Sequence, residues 1–222
     1  MKLGLITDIH EQSGSLRRVL MAASGQGCEA IACLGDITGW DIDLYPTKDG
    51  RSATECIRLI RENCTWVLAG NHDRDDIWVD TDLSESDHSW LASLPEHMII
   101  TPGTAPLLLS HYLYPDFAGS SMVFVRRLNQ MEPLFSYLGD KKIQLAFAGH
   151  DHPPGVAFSY PKHTHWTNRI RRSFHYFPFH RYELDGQMVV CLLPAVATRS
   201  GRPGFSVWDT ENRTLDVIQL TP

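Results

Sequence analysis

The chain has 222 residues, 43% of them apolar and 21% charged, with a formal charge of −6. That length allows one large or two small domains, and the composition excludes a disordered, collagen-like or low-complexity chain. The negative balance argues against a stable nucleic-acid partner, and the five cysteines, odd in number and at no zinc-finger or redox-motif spacing, fit a cytoplasmic protein without a disulfide framework.

In chain order, Lys2 to Thr7 is a short apolar run that predicts a buried strand, and Leu16, Val19, Leu20 and Ala23 follow at helical spacing. Glu29 to Leu34 is a second run. Ser52 and Glu55 form a capping box ahead of Ile57 and Ile60, and Thr65 to Ala69 is a third run. Strand and helix in alternation predict a parallel sheet. Trp90, Leu91 and Leu94 suggest a short helix stopped by Pro95. Met98 to Thr101 and Pro106 to Leu109 read as strands joined by a turn at Pro102-Gly103. Met131, Leu134, Phe135 and Leu138 mark a further helix, closed by Gly139, before a strand over Ile143 to Ala148. From Phe174 onward the pattern is of antiparallel strands, with turn signals at Asp185-Gly186 ahead of Met188 to Leu193, and at Glu211-Asn212 between Phe205 to Trp208 and Leu215 to Leu220. An antiparallel half thus follows an α/β half. With no linker or repeat, residues 1–222 are expected to form one domain, a two-sheet β-sandwich flanked by helices on both sides. No apolar stretch is long enough to predict a membrane span.

The chemistry sits directly after the apolar runs. Leu-Ile-Thr ends in Asp8-Ile9-His10, Cys-Leu-Gly in Asp36, Leu-Ala-Gly in Asn71-His72-Asp73, Leu-Leu-Ser in His111, and Phe-Ala-Gly in His150-Asp151-His152. In open α/β sheets the carboxyl ends of strands converge on one crevice, so these residues can meet. Carboxylates and imidazoles without thiolates suit ions of intermediate hardness such as manganese, iron or zinc. Seven candidate ligands exceed the four of a closed structural zinc site, which implies two ions, with Asp36 as the natural bridge.

Asp8-x-His10, Gly35-Asp36, Gly70-Asn71-His72-Asp73, His111 and Gly149-His150-x-His152, in that order, resemble the motif set of the calcineurin-like metallophosphoesterases, and the match is close to the small bacterial and archaeal branch. The resemblance runs from Lys2 to about His152. It implies that Asp8, His10 and His152 hold one divalent ion, that Asn71, His111 and His150 hold a second, and that Asp36 bridges them; manganese is favoured, with iron, zinc and nickel as alternatives. It implies that His72 faces the leaving group as general acid or transition-state stabiliser, with Asp73 orienting it. The expected activity is hydrolysis of a small phosphate ester or nucleotide, foremost a phosphodiester. Phosphomonoesters and dinucleoside polyphosphates are the alternative substrates, and a non-catalytic interaction module, as in the retromer subunit that shares the fold, is the alternative from another class.

Three features depart from the family pattern or add to it. The Gly-Asp block lacks the Arg-containing extension of the larger protein phosphatases, which disfavours a phosphoprotein substrate. The stretch Leu193-Pro194-Ala195-Val196-Ala197 replaces the usual Asn-Pro-Gly-Ser. Residues 159–182 read as an insertion that interleaves Tyr160, Trp166, Phe174, Tyr176, Phe177 and Phe179 with Lys162, Arg169, Arg171 and Arg172. Nucleotide recognition, cover for a sheet edge and a homo-oligomer contact all explain that composition. Arg74 is a candidate donor to the substrate phosphate, with a salt bridge to an acidic neighbour as the competing role.

Overall fold

Short apolar runs whose residues are buried on both faces cannot be amphipathic surface strands; they need cover above and below. The computed structural model, which describes residues 1–39, 50–74, 83–121, 123–161, 173–184 and 186–221, provides it in four layers. The first sheet holds β1 (Lys2–Ile6), β2 (Ala30–Cys33), β3 (Trp66–Val67), β9 (Arg181–Glu183), β11 (Gly204–Asp209) and β12 (Thr214–Gln219), in the order β3-β2-β1-β11-β12-β9. The second holds β4 (His97–Ile100), β5 (Leu107–Ser110), β6 (Leu145–Ala148), β7 (Val156–Ser159), β8 (His175–Phe177) and β10 (Val189–Leu192), in the order β4-β5-β6-β10-β7-β8.

Alternation along each strand divides the core. Leu3 and Leu5 of β1 point between the sheets, where they join Leu109, Phe147, Cys191 and Trp208. Ile6 points the other way, onto α1 (Ser13–Gly25) and α2 (Ala53–Asn63), among Leu16, Val19, Ile57 and Ile60. Leu91 of α3 (Glu85–Ser93) extends that layer. On the far side, Ala146 of β6 and Val190 of β10 meet Leu134 and Leu138 of α4 (Glu132–Asp140). The expected sandwich with helices on both sides is therefore the fold. No helix among the described residues is long and apolar enough to cross a membrane.

Two local expectations change. Ser52 caps α2 by accepting from the Glu55 amide at 3.1 Å, but the Glu55 carboxylate goes to Arg17 and Arg58, where a charged partner replaces the reciprocal half of the capping box. The expected division into an α/β half and an antiparallel half does not survive in space. β10 runs parallel to β6 in the middle of the second sheet, whereas β11 runs antiparallel to β1 in the middle of the first. The turn signal at Asp185-Gly186 therefore joins β9 to a strand of the other sheet and closes no hairpin; Asp185 itself lies outside the described residues. The hairpin signal at Glu211-Asn212 does close one, with Asp209 opposite Thr214.

Candidate metal centre

Loops leaving the carboxyl ends of β1, β2, β3, β5 and β6 meet at one edge of the sandwich. Backbone hydrogen bonds lace them together: the amides of Ile9 and His10 both donate to the Asp36 carbonyl, and the Gly149 amide donates to that of His111. Space is tight enough that glycine is required, since a Cβ on Gly70 would strike the Asp36 carboxylate and one on Gly149 would strike Thr7 and Asp8. Asp8, His10, Glu11, Asp36, His150 and His152 all take positive φ, between 45° and 69°. Each such non-glycine residue costs about 1–2 kcal/mol, and strain concentrated at one point of a fold marks a place where side-chain direction outweighs backbone comfort.

These turned side chains bring their donor atoms together. His152 Nε2 lies 3.0 Å from Asp8 Oδ1, and His10 Nε2 lies 3.3 Å from His152 Nε2. In a second group, His111 Nε2 lies 3.3 Å from Asp36 Oδ2 and 3.2 Å from His150 Nδ1, which is 3.1 Å from Asn71 Oδ1. Around an ion with bonds of about 2.1 Å, neighbouring donors sit about 3.0 Å apart in an octahedron and about 3.4 Å apart in a tetrahedron. Both groups have that spacing. Asp36 Oδ2 is also 3.7 Å from His10 Nε2, so one oxygen reaches both. Its other oxygen is fixed by the His72 amide at 3.0 Å.

The protonation states suit a cation. His10 Nδ1 donates to the Gly39 carbonyl at 2.8 Å and His111 Nδ1 to that of Leu34 at 2.9 Å, which turns each Nε2 toward the cluster. Burial holds His10 and His150 down to about 4, so both imidazoles are neutral at pH 7. Burial opposes charge on Asp8 and Asp36 as well, yet the surrounding histidines keep both carboxyls well below the usual range: His152 acts foremost on Asp8 and His111 on Asp36. Burial likewise works against charge on His111, but the Asp36 carboxylate overrides it and raises that imidazole to about 9. A divalent ion bound there would displace this proton.

The calcineurin-like phosphoesterase superfamily domain matches residues 1–166. The chain belongs to that superfamily. An uncharacterized protein of Methanocaldococcus jannaschii, MJ0912, is 28% identical over 182 residues, which is 69% of this chain and 63% of that one; the chain thus aligns with less than two thirds of its curated relative. A metallophosphoesterase from Sphaerobacter thermophilus shares the fold with a TM-score of 0.75 at 18% identity, over 100% of this chain and 89% of that one. An archaeal phosphodiesterase superposes with a TM-score of 0.53 at 14% identity, over 99% and 100%.

In this phosphoesterase-superfamily chain the structure brings all seven candidate ligands to one place, beside a cavity of 630 Å³ that His10, Asp36, Asn71, His150 and His152 help to line. His72 lies at the cavity edge, its Nε2 4.0 Å from Asp36 Oδ2 and its side chain 19% exposed. A third grouping of His10, Asp36 and His72 overlaps the other two. Gly39, at φ +81°, backs directly onto the His72 ring.

Asp73 does not orient His72. Its carboxylate turns inward, accepting from the amides of Gly70, Ile37 and Thr38 and from the Thr38 hydroxyl at 2.9–3.0 Å, and so staples the loop after β3 to the loop after β2. Arg74 also points elsewhere: its Nη2 donates to the Leu94 carbonyl at 2.6 Å and its Nε lies 3.7 Å from Glu96. Two arginines that belong to no motif, Arg126 and Arg199, also line the cavity. Pro194, Ala195 and Ala197 line it too, so the departure from the family's Asn-Pro-Gly-Ser forms a wall of the cleft. Of the insertion, Tyr176 and Phe179 reach the cavity, while Phe177 packs on Phe158 and Tyr182. Lys162, Trp166, Arg169, Arg171 and Arg172 lie outside the described residues.

Proposed function

We propose that this protein is a binuclear metal-dependent phosphohydrolase whose preferred substrates are small phosphodiesters. Asp8, His10 and His152 would hold one divalent ion and Asn71, His111 and His150 the other, with Asp36 between them. The position of Asp36 Oδ2, 3.3 Å from His111 and 3.7 Å from His10, is the observation that carries this assignment. Two such ions, manganese by preference and iron, zinc or nickel otherwise, supply Lewis acidity toward the phosphoryl oxygens and a water made acidic enough to attack near neutral pH.

The chain's own residues do the rest. The strained loops hold the donors in place before substrate arrives, so little reorganisation is needed during the reaction. His72, at the cavity edge and half-buried, is positioned to give a proton from Nε2 to the departing alcohol oxygen. Asp73 acts at one remove, by fixing the loop that carries Asn71 and His72. A cavity of 630 Å³ leaves room for both ester groups of a nucleotide-sized diester. A single domain over residues 1–222 belongs to this proposal, supported by strands from the end of the chain that complete the sheet begun by β1. A cytoplasmic location is supported by the five free cysteines.

Metal analysis of the purified protein, paired with assays on bis-4-nitrophenyl phosphate and 4-nitrophenyl phosphate, tests the proposal. About two ions per chain and a preference for the diester are expected, with most activity lost in Asp36→Asn. Full activity in that variant would remove the bridging role, and a clear preference for the monoester would overturn the substrate assignment.

A further inference from the structure

We infer that the cleft takes a substrate bearing a second phosphate beside the ester under attack, held by Arg126 and Arg199; this deepens the hydrolase proposal and rests on it. The reacting phosphoryl group would have its counter-charge in the ions that the donor cluster would hold, so it needs neither arginine. Both nevertheless line the same 630 Å³ cavity.

Arg126 has two partners close to the donors. Its guanidinium sits 5.0 Å over the Phe124 ring, and that ring stacks on His150 with centroids 5.2 Å apart and planes 25° apart. Its Nη1 lies 3.9 Å from Asp151 Oδ2, a carboxylate that also takes the Tyr176 hydroxyl at 3.4 Å. At 3.9 Å the attraction is electrostatic and engages no N–H donor. The ring and the carboxylate thus orient the guanidinium and leave its hydrogen-bonding capacity for a ligand.

Arg199 stands on the segment between β10 and β11. That segment is braced: the Gly201 amide donates to the Thr198 carbonyl at 3.1 Å, the Arg202 amide donates to Thr198 Oγ1 at 3.0 Å, and Arg18 of α1 donates to the Gly201 carbonyl at 3.4 Å. The Arg199 side chain is exposed to the cleft and has no acidic partner among the described residues. Two guanidiniums with unused N–H donors face one cleft, Arg199 without an acidic partner among the described residues and Arg126 with only the 3.9 Å contact to Asp151, and together they can take up a dianion. Guanidinium matches phosphate through paired N–H···O bonds, which a neutral sugar or alkyl group does not use. The substrate class is therefore an organic ester with two phosphate groups within the span of one cavity.

Two substrates with the same leaving group separate this idea from simple diester hydrolysis: thymidine 5′-(4-nitrophenyl phosphate) with and without a 3′-phosphate. With the manganese-loaded full chain, the 3′-phosphate is expected to raise kcat/KM about tenfold. That ratio should fall toward one in Arg126→Ala and Arg199→Ala and partly recover in the lysine variants. Arg202→Ala removes the same charge from the same segment outside the cavity and should keep the ratio. Binding of thymidine 3′,5′-bisphosphate, measured by calorimetry against thymidine 5′-phosphate, gives a readout free of turnover and should follow the same order. Hydrolysis of neither substrate, with bisphosphate binding still dependent on both arginines, would refute the hydrolase proposal while sustaining the two-arginine phosphate site. An equal ratio in wild type and both alanine variants, or an equal loss in Arg202→Ala, would overturn the inference itself.

Discussion

Replacing Asp73 separates a structural staple from a catalytic partner. The carboxylate is buried and accepts from three backbone amides and one hydroxyl, all within 2.9–3.0 Å. Asp73→Ala strands the amides of Gly70, Ile37 and Thr38 away from water, and each unsatisfied donor costs about 1–2 kcal/mol, so the variant should lose about 3–6 kcal/mol. Against a total stability of about 5–15 kcal/mol that is a large fraction, and for a chain of this size it corresponds to a fall in Tm on the order of 10–20 °C. Asp73→Asn keeps one acceptor oxygen but turns an NH2 toward donors, so roughly half that loss is expected. Thermal melts of the metal-free protein measure the stability, and hydrogen exchange at Ile37 and Thr38 reports the staple directly. A melt within about 2 °C of wild type for Asp73→Ala, together with a displaced acidic limb in the pH–rate profile, would refute the staple and restore the sequence-based expectation that Asp73 orients His72.

Two more outcomes follow from the site's geometry. Gly39→Ala forces a Cβ into the His72 ring at a φ that already disfavours it, so kcat should fall about 10- to 100-fold; unchanged kcat would remove His72 from the reaction. In the metal-free protein His111 is raised from 6.5 to about 9, so its contribution to stability is complete below its unfolded value of 6.5 and is lost as pH rises through about 9. The same proton must leave when a cation binds, so metal affinity should weaken by about tenfold per pH unit as pH falls from about 8 to 6. Calorimetry in two buffers of different ionisation enthalpy measures the protons released, and pH-independent affinity without proton release would contradict the assignment of His111.

Strand positions and the donors that follow them were legible because both are local: an apolar run of about five residues bounded by turn-forming residues is too short for a helix and fits a buried strand, and a polar residue at its end turns out of it. Sheet membership was less legible. Val189–Leu192 and Gly204–Asp209 are both apolar, yet they occupy different sheets, and the choice depends on packing partners that lie far away in sequence. The direction of a charged side chain was the least legible. Asp73 and Arg74 are adjacent to His72, but three-dimensional neighbours decide their roles: bare amides on the β2 loop capture one, and the Leu94 carbonyl with Glu96 captures the other. Arg126 and Arg199 carried no motif at all; only the folded cleft singles them out.

The segment that follows β10 donates from its amides at Val196 and Ala197 to the carbonyls of Thr7 and Asp8, so the rim that faces a substrate is buttoned to the floor that presents the donors. It also lies beyond residue 166, where the family match ends. One wall of the cavity thus comes from a stretch beyond the family match yet is joined mechanically to the loop that carries Asp8. Transplanting residues 193–203 from a relative will alter which ester is accepted, and through those two amides it will also nudge Asp8, so a graft that retains both hydrogen bonds is the one to test for altered taste without lost turnover.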